Sequence, residues 1–523
     1  MMGKKIYSEK QLVHLIREYQ TVIIYGAGMV GELVGNRLLA CGLREKIVGF
    51  AVSKKGNSTL KEALGGFSIY EIVELKEYKR DALVVVATLP NLHQEIEKTL
   101  SEFPFEKTVY MTTRLYKDLC DLYMLDYNRQ HPITFLPDRK SRILLMASDN
   151  NRTSGAFLCL VELCDQLQKN GIAVAAVLPQ YGTGAVLLSQ KGVPYTYIPS
   201  QDWGYEIAKS WNLFERIRFL VGMLGNCRAE QELVQFIRQN SVDLVHCNTT
   251  YTYIGALAAK RCEIPFIWHL RENMEHQGFR IFPWPWARRV MRKADKILAV
   301  SEYIRDLMNF GEENITKVVY DAVDMKENTR FSREILQHRP VQMIMVGVIM
   351  PYKRQTELIR ACAILKERDL FDFRLTIVGN GTKDYIGKLQ QMVLEYGLKD
   401  EISFYGVSDS VAELYGQSDL AFMCSIAEPY GRVTIEAQIS GCLVIGADSG
   451  ATPELITDGE TGYLYQSGNV ESLAEKIIEA VNHPEKSRRV ARNGQEYAKR
   501  TYTKEKSLQQ IIETYEEVLE KYR

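Results

Sequence analysis

The segment SIAEPYGRVTIEAQISGC carries two glutamates, Glu428 and Glu436, with seven residues between them. A helix is predicted to open at Tyr430 and Gly431, so that free backbone N–H groups at its start favour a phosphate by charge and by hydrogen bonding. Glu436 lies about one turn further on, where its carboxylate could accept two hydrogen bonds from a vicinal diol such as ribose. Glu428, on the preceding loop, would face an attached sugar. The phosphate-facing candidates are Tyr430, Gly431, Arg432, Val433 and Thr434.

An isolated pair of this kind is more often two solvated side chains, but four further motifs surround it. They are VGVIMPYK, VGNG at Val378–Gly381, YGQSDLAFMCS, and GADSGATPELITDGETGYLY. With them, residues 142–523 resemble the retaining GT-B glycosyltransferases of family four, whose hallmark is a Glu, seven residues and a second Glu. The resemblance implies that Glu428 contacts the donor sugar and that Glu436 binds the ribose.

The implied reaction moves a hexose-type sugar from a nucleotide-diphosphate donor, with a UDP-sugar expected, to a glycan, lipid-linked or protein acceptor. The resemblance also implies retention of anomeric configuration and a reaction without a metal or other cofactor. The expected process is the synthesis of cell-surface polysaccharides or glycoconjugates. Lys353, after the strand MIMVGV, would neutralise the donor diphosphate. The family usually has an arginine after the glycine of this strand, whereas here Val348 follows Gly347. Arg354 or Arg271 could supply the missing charge.

Further site residues follow from the same resemblance. His269, at the end of FIWHL, takes the position of a family histidine near the transferred sugar, and joins Glu428 and Lys353 as a catalytic candidate. Independently of the resemblance, Asn248, at the end of the strand DLVHCN, and Arg271 are expected on the acceptor side. Ser154 replaces one glycine of the family's usual pair. Small residues that let the backbone approach the donor are expected at Gly155, Gly379, Gly450, Ala451 and Thr452. For each of these residues, the alternative to a functional role is a structural one, in a turn, a helix cap or the core.

The elements that position these residues alternate between apolar strands and helical patterns, which predicts parallel sheets covered on both faces. The expected α/β architecture is a GT-B fold of two facing Rossmann-like domains, preceded by a smaller Rossmann-like domain. The predicted limits are an N-terminal domain at 1–128, a linker at 129–141, an acceptor-side domain at 142–330, a donor domain at 331–505, and a C-terminal helix at 506–523 that could pack back on the acceptor-side domain.

The N-terminal domain contains IIYGAGMVGELVG, in which Gly26, Gly28 and Gly31 form a G-x-G-x-x-G turn between a strand and a helix. An NAD site would need an acid after the next strand. The chain has Ser53, Lys54 and Lys55 there, which disfavours NAD and an oxidoreductase. The domain resembles those attached to sugar O-acyltransferases, which indicates sugar-nucleotide binding or docking. A structural or oligomerising module is the alternative.

Lysine plus arginine and aspartate plus glutamate both number 65, so no net field would attract nucleic acid. The ten cysteines include no CxxC pair, and the sequence has neither a signal peptide nor an apolar run of about 18 residues. A cytoplasmic location is expected. RIFPWPWARRVMRK, in which Trp284 and Trp286 are mixed with Arg288, Arg289, Arg292 and Lys293, could rest on the inner face of the membrane or pack as an ordinary helix. The rival function is a non-catalytic glycosyltransferase-like subunit that stabilises an active partner, with Val348 and Ser154 as signs of decay.

Overall fold

The computed structural model describes residues 4–54, 63–64, 66–135, 141–207, 212–276, 278–310, 315–323, 334–408 and 410–523. The chain forms two compact units. The first consists of Met1–Thr134, Asp149–Phe157 and Ala175–Pro199, and the second of Phe135–Ser148, Leu158–Val174 and Ser200–Arg523. Three predicted features lie outside the described residues: Lys55, residues 136–140 of the linker, and the boundary between residues 330 and 331. The domain limits stay predictions.

The first unit contains a seven-stranded sheet. Its strands pair in the order Lys4–Ile6, Lys107–Met111, Ala82–Val86, Thr21–Tyr25, Ile47–Val52, Phe67–Glu71 and Ala63–Leu64, and only the last pair is antiparallel. Alternate residues of Thr21–Tyr25 enter two separate apolar cores, which explains why this strand is apolar throughout. The helices of this domain are Glu9–Arg17, Met29–Ala40, His93–Glu102 and Thr113–Gln130.

The helix Thr113–Gln130 covers the edge of another strand in the same unit. Tyr195–Tyr197 pairs in parallel with the strand Ala173–Leu178, whose residues from Ala175 onward belong to this unit. The side-chain amide of Asn128 accepts a hydrogen bond from the N–H of Tyr197 at 2.9 Å and donates one to its carbonyl at 2.7 Å. Asn128 therefore satisfies this strand edge as the backbone of a neighbouring strand would.

The second unit contains two parallel sheets. The described residues up to Val323 form its N-terminal half, with the strand order Arg142–Met146, Leu244–Cys247, Phe266–Leu270, Lys296–Ala299 and Thr316–Val318. Residues from 334 onward form its C-terminal half, with the order Ile402–Gly406, Phe373–Val378, Val341–Val346, Leu420–Met423, Leu443–Ala447 and Tyr463–Tyr465. A short antiparallel pair, Gly204–Glu206 with Phe279–Ile281, lies outside these sheets.

Helices separate the strands in both halves. Gly155–Lys169 and Ala185–Gln190 start in the first unit, and the second unit holds Leu213–Gln239, Ile254–Arg261, Trp284–Met291, Glu302–Met308, Gln355–Glu367, Lys383–Glu395, Val411–Gly416, Arg432–Ile439, Thr452–Leu455, Val470–Asn482, Pro484–Thr501 and Lys504–Glu520. The last helix returns to the N-terminal half, where the Tyr515 hydroxyl lies 2.6 Å from Nδ1 of His246. Within the described residues, no helix has the length and apolarity needed to span a bilayer.

Candidate active site

Lys353 and Glu428 form an ion pair in the C-terminal half of the second unit. The Lys353 ammonium lies 2.7 Å from Oε2 of Glu428, and the two side chains are only 17% and 11% exposed. Lys353 ends the single turn Pro351–Lys353 that follows the strand Val341–Val346, and Glu428 lies on the loop after Leu420–Met423. Two neighbouring strands of the sheet therefore bring these candidates together at their carboxyl ends.

A tight contact with the turn after Leu443–Ala447 holds Glu428 in place. The N–H of Ala451 donates to the Glu428 carbonyl at 2.9 Å. Gly450 has φ +61°, and a Cβ atom there would lie 2.4 Å from the Glu428 backbone nitrogen. Gly450 and Ala451 thus contact the backbone of the predicted sugar-facing residue.

The donor-site helix, Arg432–Ile439, begins directly after this loop. Its first flanking residue, Gly431, has φ +96°, a left-handed conformation that favours glycine, and no side chain among the described residues caps the helix. The N–H of Thr434 donates to the Gly431 carbonyl at 2.9 Å, and the N–H groups before it have no intrahelical partner. The start of the donor-site helix therefore leaves N–H donors for a ligand, and the anionic group expected there stays a prediction.

Glu436 lies on the donor-site helix with a side chain that is 23% exposed. Its carboxylate has one charged neighbour within the described chain, Arg432, at 4.0 Å. Burial raises the pKa of Glu436, and the charge of Arg432 lowers it in part. This carboxylate accepts no hydrogen bond from a described residue, so it retains the acceptor capacity that a diol needs.

Several buried polar atoms of the site candidates have no hydrogen-bond partner among the described residues. They are Nε of Arg432, Oγ1 of Thr434, Oγ1 of Thr452 and Nε2 of His269. Buried polar groups in native proteins are nearly always satisfied by protein, water or ligand. Because Arg432 and Thr434 both belong to the first turn of the donor-site helix, their free atoms indicate that a polar ligand completes this region.

His269 is completely buried at the end of the strand Phe266–Leu270. Burial lowers its pKa well below the usual range, and the charges of Arg271 and His246 lower it further, so the imidazole is neutral. Its Nδ1 lies 3.1 Å from Nη2 of Arg271, which can only donate. The proton of His269 is therefore on Nε2, which is available as a hydrogen-bond donor.

The two arginines proposed to replace the missing phosphate-binding charge are both engaged. Arg271 has a side chain that is 6% exposed, and its Nη1 contacts both carboxylate oxygens of Asp321. Its Nε donates to the carbonyl and the side chain of Asn248 at 3.1 and 3.2 Å. Arg354 donates to Glu357 at 3.0 Å. Val348, at the position of the missing arginine, is 41% exposed.

Asp321 connects the two halves and was not found from the sequence. Besides Arg271, it accepts a hydrogen bond from the Cys159 thiol at 3.4 Å, and the Cys159 sulfur in turn lies 3.0 Å from Nη1 of Arg432. Glu454 makes a second connection, because its carboxylate accepts from the N–H groups of Glu302 and Tyr303 at 2.9 and 2.6 Å. Asp321 stands in no recognisable motif, so only its contacts reveal it.

The remaining glycine candidates differ in what the fold requires of them. Gly379 has φ +140°, and a Cβ there would lie 1.9 Å from the Gly347 carbonyl oxygen, so these two turns touch. In the first unit, a Cβ at Gly31 would lie 1.9 Å from the Gly26 oxygen, and one at Gly26 2.7 Å from the Ala87 oxygen. Positions Gly28 and Gly155 are open. The turn that contains Gly26 and Gly31 thus has the close packing of a G-x-G-x-x-G motif, and a ligand bound there stays a prediction.

Comparison with known families agrees with this geometry. Residues 153–327 match the model of Glycosyltransferase Family 4, and residues 326–497 match that of Glycosyl transferases group 1. The chain belongs to glycosyltransferase family four. Its architecture is the GT-B fold, with an additional Rossmann-like domain at the N-terminus.

Relatives and solved structures extend the similarity. The N-acetyl-alpha-D-glucosaminyl L-malate synthase of Bacillus anthracis is 28% identical over 242 residues, which are 44% of this chain and 61% of that relative. The D-inositol 3-phosphate glycosyltransferase of Streptomyces scabiei is 24% identical over 63% of this chain and 79% of its own length. Anabaena HepE, solved with UDP and glucose, matches with a TM-score of 0.60 and 23% identity, over 72% of this chain and all of its own.

Proposed function

We propose that this family-four glycosyltransferase transfers a hexose-type sugar from a nucleotide-diphosphate donor, with a UDP-sugar expected, with retention of configuration and without a metal ion. The observation that carries the proposal is the Lys353–Glu428 pair beside an uncapped helix whose Glu436 has unused hydrogen-bond capacity. That helix start and Lys353 would balance the diphosphate charge. The binding of UDP and glucose by Anabaena HepE, which shares the fold, is consistent with this donor.

Arg432 is the better candidate for the missing phosphate-binding charge. Its guanidinium stands at the first turn of the donor-site helix and retains an Nε without a described partner, and its nearest carboxylate, Glu436, is 4.0 Å away. Arg271 and Arg354 instead contact carboxylates at 3.0 Å or less. Arg432→Lys should raise the donor KM by about tenfold, as expected when one charge-assisted hydrogen bond is lost. Arg354→Lys, at the half-buried residue before the helix Gln355–Glu367, is the matched control and should leave the donor KM unchanged. The reverse order of effects would assign the role to Arg354.

In the proposed reaction, Glu436 holds the ribose and Nε2–H of His269 donates to a sugar oxygen. The bond between the anomeric carbon and the phosphate oxygen breaks as the acceptor oxygen forms its bond on the same face of the sugar. The departing phosphate oxygen takes the acceptor proton. Glu428, paired with Lys353, would position the sugar, so these two glutamates do not act as a glycosidase acid and nucleophile.

A screen of nucleotide sugars for slow hydrolysis, followed by NMR of the anomeric product, tests this proposal. We expect hydrolysis of one UDP-sugar, retention in the initial product, undiminished rate in EDTA, and loss of at least about tenfold in donor affinity in Glu436→Gln. Glu471→Gln is the control, because the Glu471 side chain is 58% exposed. Tight UDP binding with no turnover of any donor would instead identify a non-catalytic subunit. The loss of the usual phosphate-binding arginine at Val348 would then be an early sign of lost activity.

A further inference from the structure

The first half of the long helix Leu213–Gln239 exposes an apolar face. Six large apolar side chains recur at helical spacing, with exposed fractions from 48% to 74%. The second half of the same helix buries its apolar residues normally, among them Leu233 and Ile237. These six residues are Leu213, Phe214, Ile217, Leu220, Val221 and Leu224. Exposed apolar surface in one contiguous face marks an interaction site rather than a folding requirement.

Aromatic residues continue this face on a neighbouring segment. The ring of Phe219, on the long helix, lies 6.4 Å from that of Phe282. Phe282, Trp284 and Trp286 are 45%, 38% and 36% exposed. We call the six helix residues together with these three aromatic residues the apolar surface.

A cluster of cations lies along the same group of helices. The ring of Trp286 packs on Tyr253, the residue just before the helix Ile254–Arg261. Lys293 lies near Lys260, close to the other end of the same helix. Tyr253 and Lys260 are about 10 Å apart along the helix axis. The nearby ammonium of Lys260, together with the charge of Arg289, lowers the pKa of Lys293, so positive charge is concentrated there.

This basic patch consists of exposed cations that form no ion pair within the described part of the chain: Lys260, Arg289, Arg292 and Lys293. Two acids of the long helix are engaged elsewhere, because Glu230 pairs with Arg261 and Glu232 with Arg228, whereas the exposed Glu263 adds one negative charge near Lys260. Arg216 and Arg218 add exposed positive charge within the apolar stretch itself.

We propose that the apolar surface and the basic patch dock this protein on an anionic lipid bilayer. Apolar and tryptophan side chains would enter the interface while the cations meet lipid phosphates. A second copy of the chain fits this surface less well, because a two-fold contact through it would oppose arginines of like charge. This inference is independent of the proposed donor chemistry, and it would bring the active-site region to acceptors held at a membrane.

Flotation of the full chain with phosphatidylcholine vesicles, with and without phosphatidylglycerol, tests the proposal. We expect binding to the anionic vesicles that weakens with added salt. Ile217→Glu combined with Leu220→Glu should weaken it by at least about tenfold, and Arg292→Ser combined with Lys293→Ser by about tenfold or more. The matched control is Leu394→Glu, 55% exposed on the helix Lys383–Glu395, which should bind as the unchanged protein does.

Near-ultraviolet circular dichroism and UDP binding will show that each variant is folded, and the basic double variant gives a second test if the apolar one unfolds. Equal binding of the unchanged protein and both double variants would overturn the proposal. A concentration-dependent dimer that Ile217→Glu dissociates, without vesicle binding by the unchanged protein, would assign the surface to a second copy instead.

Discussion

The hydroxyl of Tyr430 donates a 2.6 Å hydrogen bond to the backbone carbonyl of Asp321. Tyr430 lies on the loop just before the donor-site helix, and Asp321 on the segment that follows the last strand of the N-terminal half, where its side chain pairs with Arg271. Tyr430 is only 4% exposed. One residue, Asp321, thereby links the predicted donor and acceptor sides through its carbonyl and its carboxylate.

Tyr430→Phe removes this link while keeping the ring. We expect a loss of about 1 kcal/mol in the free energy of unfolding, since one buried hydrogen bond disappears and the Asp321 carbonyl loses its donor. Urea denaturation measures the change. Tyr405→Phe is the control, because the Tyr405 side chain is 56% exposed. Equal stability of Tyr430→Phe and the unchanged protein would show that the bond contributes nothing.

Lys353→Met and Glu428→Gln test the central ion pair as a double-mutant cycle. Each single change leaves a mostly buried partner without its counter-charge, so Lys353→Met alone should lower the unfolding free energy by about 1–3 kcal/mol. The double variant should be more stable than the sum of the single effects predicts, with a coupling of about 1–2 kcal/mol. Additive effects would mean that the pair has no energetic coupling in solution.

Gly450→Ala tests the contact that supports Glu428. The new Cβ would lie 2.4 Å from the Glu428 nitrogen at a residue with φ +61°. We expect destabilisation clearly beyond the roughly 1–2 kcal/mol of a left-handed alanine, together with weaker donor binding. Gly459→Ala separates the two causes, because Gly459 has φ +73° and nothing within 4 Å of its Cβ position. Calorimetric melting of both variants decides whether the contact or the backbone conformation matters.

Glu272 predicts a pH dependence of stability. Burial raises its pKa to about 7, although hydrogen bonds from Thr250 and the charge of Arg271 lower it. An unfolded glutamate titrates near about 4.3, so the folded state binds the proton more tightly. The contribution of Glu272 is therefore fully present below about pH 4 and is lost as the pH rises towards 7.

Glu272→Gln should remove this dependence, since glutamine can still accept from Thr250. Between pH 5 and pH 8, the unchanged protein should lose about 2–3 kcal/mol more unfolding free energy than the variant. Urea denaturation at both pH values measures the difference. Glu471→Gln should behave as the unchanged protein does, and parallel losses in all three proteins would contradict the assignment to Glu272.

The fold class and the family could be predicted because their signals are local. Strands buried on both faces are apolar at nearly every position, as Leu443–Ala447 illustrates, and Glu428 and Glu436 lie within one short segment. The GT-B fold and the membership of family four were confirmed. The roles of the individual site residues stay predictions.

Contacts between distant residues could not be predicted in this way. Arg271 pairs with Asp321, fifty residues later, and nothing in the spacing of charged residues identifies that partner. The exposed face of Leu213–Gln239 was also missed, because a run of apolar residues at helical spacing has the same appearance whether it is buried or exposed. Only the packed structure separates these cases.

The amide of Asn128 has a practical consequence for anyone shortening this protein. A truncated chain that begins at residue 142 would lack the helix that satisfies Tyr197, and the strand Tyr195–Tyr197 would present unpaired backbone groups beside exposed tyrosine rings. Uncovered edges of this kind promote intermolecular pairing. Aggregation of the isolated transferase region during purification is therefore the expected cost of removing its N-terminal domain.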